Sequence, residues 1–265
     1  VPGITVANSC LTHAERHLIW FDRRPGSKSI QVGGSVRRGS AGYSGRVTVP
    51  EPALFAGRTL AHELKRAGVH LGGSVRLVDG IAPGEEGWRR ITRRRVSLRS
   101  VLRIMLVESQ NLYAEQVVKT IGAVRAQKGT WEAGLGRVSR QLRRLHVKEG
   151  DFQLADGSGM SRQNRLTPRA ICAVLLAMAR WREGKDLEPL LAAPGEGTLD
   201  DRFSGRAYRG RVRAKTGYLR GVGALSGYVT AEDGRKMVFS IIINDFFRGG
   251  NATMKRIQDR IVGVI

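Results

Sequence analysis

A chain of 265 residues, with 41% hydrophobic and 26% charged side chains, has a globular composition that excludes intrinsic disorder, and its length suits one large domain or two small ones. Every apolar run is shorter than a transmembrane helix requires. The formal net charge of +22 leaves two interpretations open, a surface for nucleic acid or another polyanion and arginine spread over solvated faces, and the scattered basic residues without interleaved aromatic rings favour the second.

The first 49 residues are rich in Gly and Ser and contain short β-like runs, which predict an all-β segment ending near Pro50. The runs are Ile4–Val6, His17–Phe21, Ser29–Val32 and Arg46–Val49. The chain starts at Val1 without Met and without a signal-peptide pattern, so we expect an N-terminus created by processing or by a cut within a longer protein.

Apolar residues at helical spacing predict five helices between residues 53 and 181, with one strand among them. Ser97 is the predicted N-cap of the second helix, and Thr167-Pro168 supplies the N-cap and first position of the fifth. The helices cover residues 53–67, 97–108, 112–121, 131–145 and 167–181, and the strand is Ser74–Val78.

The end of the chain has the pattern of an antiparallel β-meander followed by a helix that Asn251 caps. The three strands are Val212–Thr216, Ala224–Thr230 and Lys236–Ile243. The last strand lacks alternation of polar and apolar residues, which predicts burial on both of its faces. Helices followed by an antiparallel sheet and a returning helix indicate the α+β class.

Several kinds of site find no support. His13 and His17 have the i, i+4 spacing of a metal-binding pair, but they lie in a strand-like segment without a third ligand in register. No second histidine of a zinc-protease helix follows His62, and both the Gly-x-Ser-x-Gly elbow and the Gly-Lys-Ser/Thr phosphate loop are missing. Cys172 lies in an apolar run and is predicted to pack as a small hydrophobe, which disfavours a disulfide to Cys10.

Three motifs remain: Ser109-Gln110-Asn111 at a helix junction, Asp156–Arg162 in a turn, and Lys215-Thr216-Gly217 at a strand end. Either tripeptide alone is a weak signal, because Ser-x-Asn often caps a helix and Lys-Thr-Gly often ends a strand. In this order and these contexts, the two tripeptides match the second and third signatures of penicillin-recognising serine enzymes.

The longer strings Ser109–Glu115, Asp156–Arg162, Arg211–Leu219 and Gly223–Val229 resemble class C penicillin-binding proteins, the D-alanyl-D-alanine carboxypeptidase/endopeptidase family. The resemblance covers about residues 50–265. It implies an α+β penicillin-binding serine-peptidase (β-lactamase/transpeptidase-like) fold, incomplete here, with a β-rich N-terminal remnant. We therefore expect residues 1–49 to end a β-rich inserted domain and residues 50–265 to form the C-terminal part of the catalytic domain.

The resemblance implies three catalytic residues. A serine hydroxyl attacks the D-Ala-D-Ala carbonyl to form an acyl-enzyme, and the Lys of a Ser-x-x-Lys motif accepts its proton. Ser109 then passes the proton to the departing D-Ala nitrogen, and Asn111 donates to the amide carbonyl of the substrate. Lys215 supplies positive potential that attracts the terminal carboxylate of the substrate.

Three further residues are implied to bind substrate. Thr216 hydrogen-bonds the terminal carboxylate, and Gly217 lets the strand approach the peptide closely. The backbone N–H of Tyr218 stabilises the oxyanion of the transition state. For the turn at residues 156–159 we favour a structural role beside the cleft over a catalytic one.

Two departures from the family pattern matter. No serine of the chain begins a Ser-x-x-Lys sequence. In the family this motif precedes the inserted domain, so we expect the chain to be a fragment, with an inactive homologue as the alternative. Tyr218 stands where Thr or Ser is frequent, so the backbone N–H donor is kept but a small side-chain hydroxyl is missing. Gln110 in place of a frequent Asp matters little.

The resemblance implies a serine-type D-Ala-D-Ala carboxypeptidase of the periplasm or cell envelope, with endopeptidase activity left open. Its partners are peptidoglycan peptides and, for the intact enzyme, β-lactam inhibitors, with weak salt-sensitive polyanion binding from the basic surface. No cofactor or metal is implied. Two alternatives remain, a β-lactamase-like hydrolase, which the string Tyr113-Ala114-Glu115 disfavours, and a non-catalytic basic protein that binds cell wall or polyanions.

Overall fold

The computed structural model of the chain describes residues 3–45, 47–78, 92–205, 208–246 and 250–265, with the backbone but not the side chain of Glu183. The chain divides into two compact units, Val1–Thr92 and Arg93–Ile265. The domain boundary expected at residue 49 falls inside the first unit and stays a prediction. Among the described helices, none combines the length and apolar character needed to span a membrane.

The first unit is β-rich at its start, as predicted. It contains strands β1 (Thr5–Asn8), β2 (Leu11–His13), β3 (Leu18–Asp22) and β4 (Ser29–Arg37). β4 organises the sheet, because β1 and β2 pair with it in parallel and β3 pairs with it antiparallel. The strand predicted at Arg46–Val49 is wrong for residues 47–49, which are irregular, while Arg46 lies outside the described residues.

Helix α1 (Pro52–Arg66) follows the sheet and is the last regular element among the described residues of this unit. The predicted stop at Gly68 is confirmed, since its φ of +82° is a left-handed conformation that favours glycine. The strand predicted at Ser74–Val78 is wrong, because these residues are irregular. A short apolar run becomes a strand only where a neighbouring strand satisfies its backbone groups, and the local pattern carries no information about that neighbour.

Four helices open the second unit: α2 (Leu98–Val107), α3 (Asn111–Ala126), α4 (Trp131–Arg144) and α5 (Pro168–Arg180). Both predicted N-caps are confirmed. The Ser97 hydroxyl accepts a hydrogen bond from the Ser100 N–H at 3.1 Å, and the Thr167 hydroxyl accepts one from the Ala170 N–H at 3.2 Å. Between α4 and α5, the two short strands β5 (Phe152–Gln153) and β6 (Arg165–Leu166) pair and enclose the turn at residues 156–162.

The main sheet contains β7 (Val212–Leu219), β8 (Val222–Thr230) and β9 (Lys236–Asn244), antiparallel in that order. The predicted meander is therefore confirmed. The prediction that its last strand is buried on both faces is wrong. β8 is the most buried strand because it is central, whereas β9 is mostly half-buried because it lies at an edge. Helix α6 (Gly250–Gly263) follows, and Asn251 lies within it instead of capping it.

Helices cover both faces of this sheet. On one face, Val262 of α6 joins a core cluster with Leu225 of β8. On the other face, Tyr228 packs against Leu175 of α5, and its hydroxyl donates to the Leu175 carbonyl at 2.9 Å. This α/β/α arrangement fixes the sheet and leaves β7 at the edge opposite β9.

Candidate active site

A cavity of 780 Å³ lies along β7 in the second unit. Its walls come from β7, from the junction between α2 and α3, and from the turn at residues 156–162, named here the cleft loop. All six site residues predicted from the sequence line it: Ser109, Asn111, Lys215, Thr216, Gly217 and Tyr218. The fold thus brings together motifs that are far apart in the chain.

Ser109 and Lys215 are in direct contact, although 106 positions separate them. The Lys215 Nζ donates to the Ser109 Oγ at 2.7 Å, which is within the distance that proton transfer requires. A second hydrogen bond of 2.7 Å from the same Nζ to the Thr216 carbonyl holds the amine in place. Two motifs that are far apart in the sequence are therefore joined by a direct hydrogen bond.

The backbone at Ser109 is unusual for a residue with a side chain. Its φ is +54°, in the left-handed region, at the turn between α2 and α3. Ser109 is not the N-cap of α3, because Gln110 occupies that position without a capping side-chain hydrogen bond. The turn instead directs the hydroxyl to Lys215. Such conformations cost about 1–3 kcal/mol and are found where surrounding structure imposes them, often at functional sites.

Lys215 is largely removed from solvent. This burial lowers the pKa of its ammonium group from 10.5 to about 8. A lysine with such a pKa is partly neutral in mildly basic solution, so its amine can both donate a proton to and accept one from the neighbouring hydroxyl. The lysine with this lowered pKa lines the cleft, as functional amines often do.

The pKa of Lys215 predicts a pH dependence of stability. The folded-state pKa of about 8 lies below the ordinary value of 10.5, so the unfolded chain binds this proton more tightly. The buried ammonium charge therefore destabilises the folded state fully below about pH 8. This destabilisation disappears as the pH rises from about 8 to 10.5. Relative to Lys215→Met, the wild-type free energy of unfolding should rise by about 3 kcal/mol across this window.

Urea denaturation of both proteins at several pH values measures this difference. Lys236→Met is the matched control, since Lys236 is half exposed and paired with Glu188 at 2.7 Å. If the difference in free energy of unfolding between the wild type and Lys215→Met stays constant from pH 7 to 10.5, the amine is not buried as a charge.

The remaining predicted residues surround this pair. Asn111, the first residue of α3, lines the cavity together with Ser109. Gly217 lies opposite Ala224 on β8, where an added Cβ would come within 3.2 Å of the Ala224 Cβ. The Tyr218 side chain is 57% exposed, and its ring lies 6.4 Å from that of Phe246. The structure brings these residues to one cleft; their individual roles stay predictions.

A second, smaller cavity of 320 Å³ adjoins the site, and we call it the apolar groove. Ser109, Asn111 and Lys215 lie at its polar end. The rest of its lining is mainly aliphatic, from Met105, Leu106, Ala114, Val117, Val118, Ile121 and Val138. Apolar surface of this kind beside a polar site favours contact with another apolar segment.

Other candidate ligands in the sequence have local partners. The His13 Nδ1 accepts backbone N–H groups of Glu15 and Arg16, and the His17 Nδ1 accepts that of Arg37. Within the described ranges, no cluster of three or more His, Cys, Asp or Glu side chains could hold a metal. Both cysteines are free thiols.

Comparison with known proteins finds matches to a family of carboxypeptidases. Residues 8–265 match the family described as D-Ala-D-Ala carboxypeptidase 3 (S13). A D-alanyl-D-alanine carboxypeptidase of Actinomadura sp. is 35% identical over 84% of this chain and 43% of its own length. Carboxypeptidase DacB of Mycolicibacterium smegmatis is 35% identical over 73% of this chain and 42% of its own length. The chain thus spans less than half the length of these relatives.

Solved structures share the fold. Penicillin binding protein 4 of Haemophilus influenzae, in complex with a β-lactam, superposes with a TM-score of 0.77 at 22% identity, covering 99% of this chain and 63% of that protein. A class A β-lactamase of Bacteroides cellulosilyticus gives a TM-score of 0.50 at 18% identity over 64% of this chain and 62% of that protein. The expected penicillin-binding serine-peptidase fold of the α+β class is therefore confirmed.

Proposed function

Because the chain belongs to the D-Ala-D-Ala carboxypeptidase 3 (S13) family, we propose that its cleft serves a serine-type D-Ala-D-Ala carboxypeptidase that acts on peptidoglycan peptides. The observation that carries the proposal is the 2.7 Å hydrogen bond between the Lys215 amine and the Ser109 hydroxyl, in a cleft that also contains Asn111 and Thr216. The name of the family and the names of the relatives support the same reaction.

In this mechanism the nucleophile comes from a Ser-x-x-Lys segment outside this chain, since no serine here begins that motif. Its serine oxygen bonds to the penultimate D-Ala carbonyl carbon, and the lysine of the same motif takes the hydroxyl proton. The apolar groove would receive an amphipathic helix that carries the motif, with the nucleophile next to Ser109. Aliphatic residues such as Leu106 and Val117 offer the complementary surface.

Collapse of the tetrahedral intermediate breaks the peptide bond between the two D-Ala residues. The departing nitrogen needs a proton, which the Ser109 hydroxyl donates. The Ser109 oxygen in turn receives a proton from an adjacent ammonium group. The Lys215 Nζ at 2.7 Å keeps this hydroxyl oriented and adds positive potential. Water then attacks the acyl-enzyme and releases the shortened peptide, which restores the serine.

Substrate would bind along β7. This strand pairs with β8 on one side. On its other side Ala214 is bridged to Ala192, and the following residues, Lys215 to Leu219, border the cavity, so an extended peptide can add to that part of the edge. The Thr216 hydroxyl and the Lys215 amine suit the terminal carboxylate, and Asn111 suits the preceding amide carbonyl. The backbone N–H of Tyr218 would stabilise the oxyanion. This contribution does not depend on which side chain the residue has.

The same proposal covers architecture, inhibitors and location. We propose that residues 1–49 end a β-rich inserted domain and that residues 50–265 form the C-terminal part of the catalytic domain. β-Lactams would acylate the intact enzyme, because a relative with the same fold is known in complex with one. A substrate in peptidoglycan implies action in the periplasm or elsewhere in the cell envelope.

The test starts from the coding sequence around this chain, where a Ser-x-x-Lys motif should be found. The complete protein should release D-alanine from a peptide that ends in D-Ala-D-Ala and should be inactive on the same peptide ending in L-Ala-L-Ala. A complete protein that has the motif but releases no D-alanine would refute the proposal. Release of D-alanine from cross-linked dimers would add endopeptidase activity to it.

A second candidate function is that of a non-catalytic basic protein that binds anionic polymers of the wall or nucleic acid. The net charge of +22 and the lack of a Ser-x-x-Lys favour it. If the carboxypeptidase function holds instead, we expect only loose binding to heparin and to DNA, without sequence preference, that weakens steeply with rising salt because the release of bound counterions then gains less entropy.

Retention on heparin and DNA columns against ionic strength measures this binding, with a neutral dextran column as the control. Elution well below molar salt from both polymers is the expected result. Retention that survives molar salt, or a clear preference for one DNA sequence, would contradict the expectation and would favour the binding-protein function.

A further inference from the structure

Glu115 connects the helix that carries Asn111 to the cleft loop. It lies in α3, one turn after Asn111, and is half-buried. Its carboxylate accepts the Gly157 N–H at 3.1 Å and the Ser158 N–H at 3.0 Å, one on each oxygen. The Trp131 indole N–H adds a third hydrogen bond at 2.8 Å. One side chain therefore ties together α3, α4 and the cleft loop.

The loop lies directly on the helix at this point. A Cβ added to Gly157 would come within 2.8 Å of the Ala114 carbonyl oxygen and 2.7 Å of the Val118 Cγ2. Glycine is thus required for the loop backbone to reach Glu115. Burial by itself would raise the pKa of Glu115, but the hydrogen bonds from the loop and the indole outweigh it and leave this pKa below its ordinary value.

The cleft loop has a separate set of bonds that shape it internally. The Asp156 carboxylate accepts the Gly159 and Ser161 N–H groups, both at 2.6 Å. The Asn164 side chain accepts the Ala155 N–H at 2.8 Å and donates to Asp156 at 2.8 Å. These bonds fix the form of the loop, whereas the bonds to Glu115 fix where the loop stands relative to α3.

That relative position sets the width of the site. Ser158 lines both the 780 Å³ cavity and the apolar groove, as Ser109, Asn111 and Lys215 do. The cleft loop thus faces β7 across the space that the substrate would occupy. We propose that Glu115 is a positioning residue that holds the cleft loop at the spacing a D-Ala-D-Ala terminus requires, an inference that rests on the proposed function.

The carboxylate is suited to this task because three N–H donors converge on it, and an ionised carboxylate only accepts hydrogen bonds. Glu115→Gln keeps the size of the side chain but replaces one accepting oxygen with an NH₂ group, which cannot accept a hydrogen bond from the N–H donors. Trp131→Phe is the matched control, because it removes the indole donor and leaves both bonds to the loop. Thr216→Val tests the proposed carboxylate site itself.

The experiment measures two quantities in the chain as it stands. NMR titration with an N-acetylated tripeptide ending in D-Ala-D-Ala gives the Kd, and amide hydrogen exchange reports the loop. In Glu115→Gln we expect the Kd to rise about tenfold and the Gly157 and Ser158 amides to exchange faster by a similar factor. The Gly159 and Ser161 amides, bound to Asp156, should keep their protection, and Trp131→Phe should retain a Kd near that of the wild type.

The outcomes separate this inference from the function on which it rests. If Thr216→Val weakens binding and Glu115→Gln does not, the positioning role is refuted and the proposed function stands. An equal loss in Trp131→Phe would also refute it, because general packing of α3 against α4 would then explain the effect. If the wild-type chain does not bind the peptide, or binds it equally well with a C-terminal amide, the proposed carboxylate site fails and this inference fails with it.

Discussion

Expressed by itself, the chain of residues 1–265 should form no covalent adduct with a fluorescent penicillin. Penicillin labels these enzymes through an ester to the nucleophilic serine, and no serine here begins a Ser-x-x-Lys sequence. Loss of a nucleophile removes the covalent route entirely, whatever binding remains. Incubation, denaturation and gel fluorescence give the measurement, with the complete protein as the positive control.

A stable labelled band would show that another serine is the nucleophile. Ser109 would be the first suspect, since its hydroxyl contacts an amine with a pKa of about 8. Ser109→Ala would then abolish the label, whereas Ser226→Ala, which changes a serine bonded to Ser240 at 2.9 Å within the sheet, would keep it. Those results would refute the mechanism proposed above, in which the nucleophile comes from a Ser-x-x-Lys segment outside this chain.

In the complete protein, Ser109→Ala and Lys215→Ala should each lower the rate of D-alanine release by about 10²- to 10⁴-fold. This is the usual range for loss of a positioned proton donor or acceptor. The two changes should not be additive, because both interrupt one hydrogen-bonded pair. Steady-state release of D-alanine from a D-Ala-D-Ala peptide measures the effect.

Ser226→Ala again provides the control, since Ser226 is the cross-strand neighbour of Lys215 and is bonded to Ser240. Its rate should stay near that of the wild type. Full activity of Ser109→Ala would remove this serine from the proton path, and equal losses in Ser226→Ala would attribute the effect to disturbance of the sheet.

Local signals in the sequence predicted the second unit well. Ser97 and Thr167 cap their helices, and the three C-terminal strands pair in the expected order. These features depend on residues within a few positions of one another. The strand predicted at Ser74–Val78 failed because strand formation depends on a partner elsewhere in the chain.

The site shows the same limit. Contact between Ser109 and Lys215 could be expected only from resemblance to a family, because no periodicity relates residues 106 positions apart. The left-handed backbone of Ser109 has no sequence signal, since serine is not enriched there as glycine and asparagine are. Glu115 was visible only as part of a matching string, and its role emerged from the loop folding back onto α3.

The left-handed turn at Ser109 also bears on how the protein can evolve and be engineered. Glycine would adopt a φ of +54° without strain, and an apolar side chain would fill the place of Lys215 without a buried charge. Selection for thermal stability alone would therefore drive both positions away from their present residues. A lineage that no longer uses the proposed substrate should show the change first at these two codons, while its caps and core remain intact.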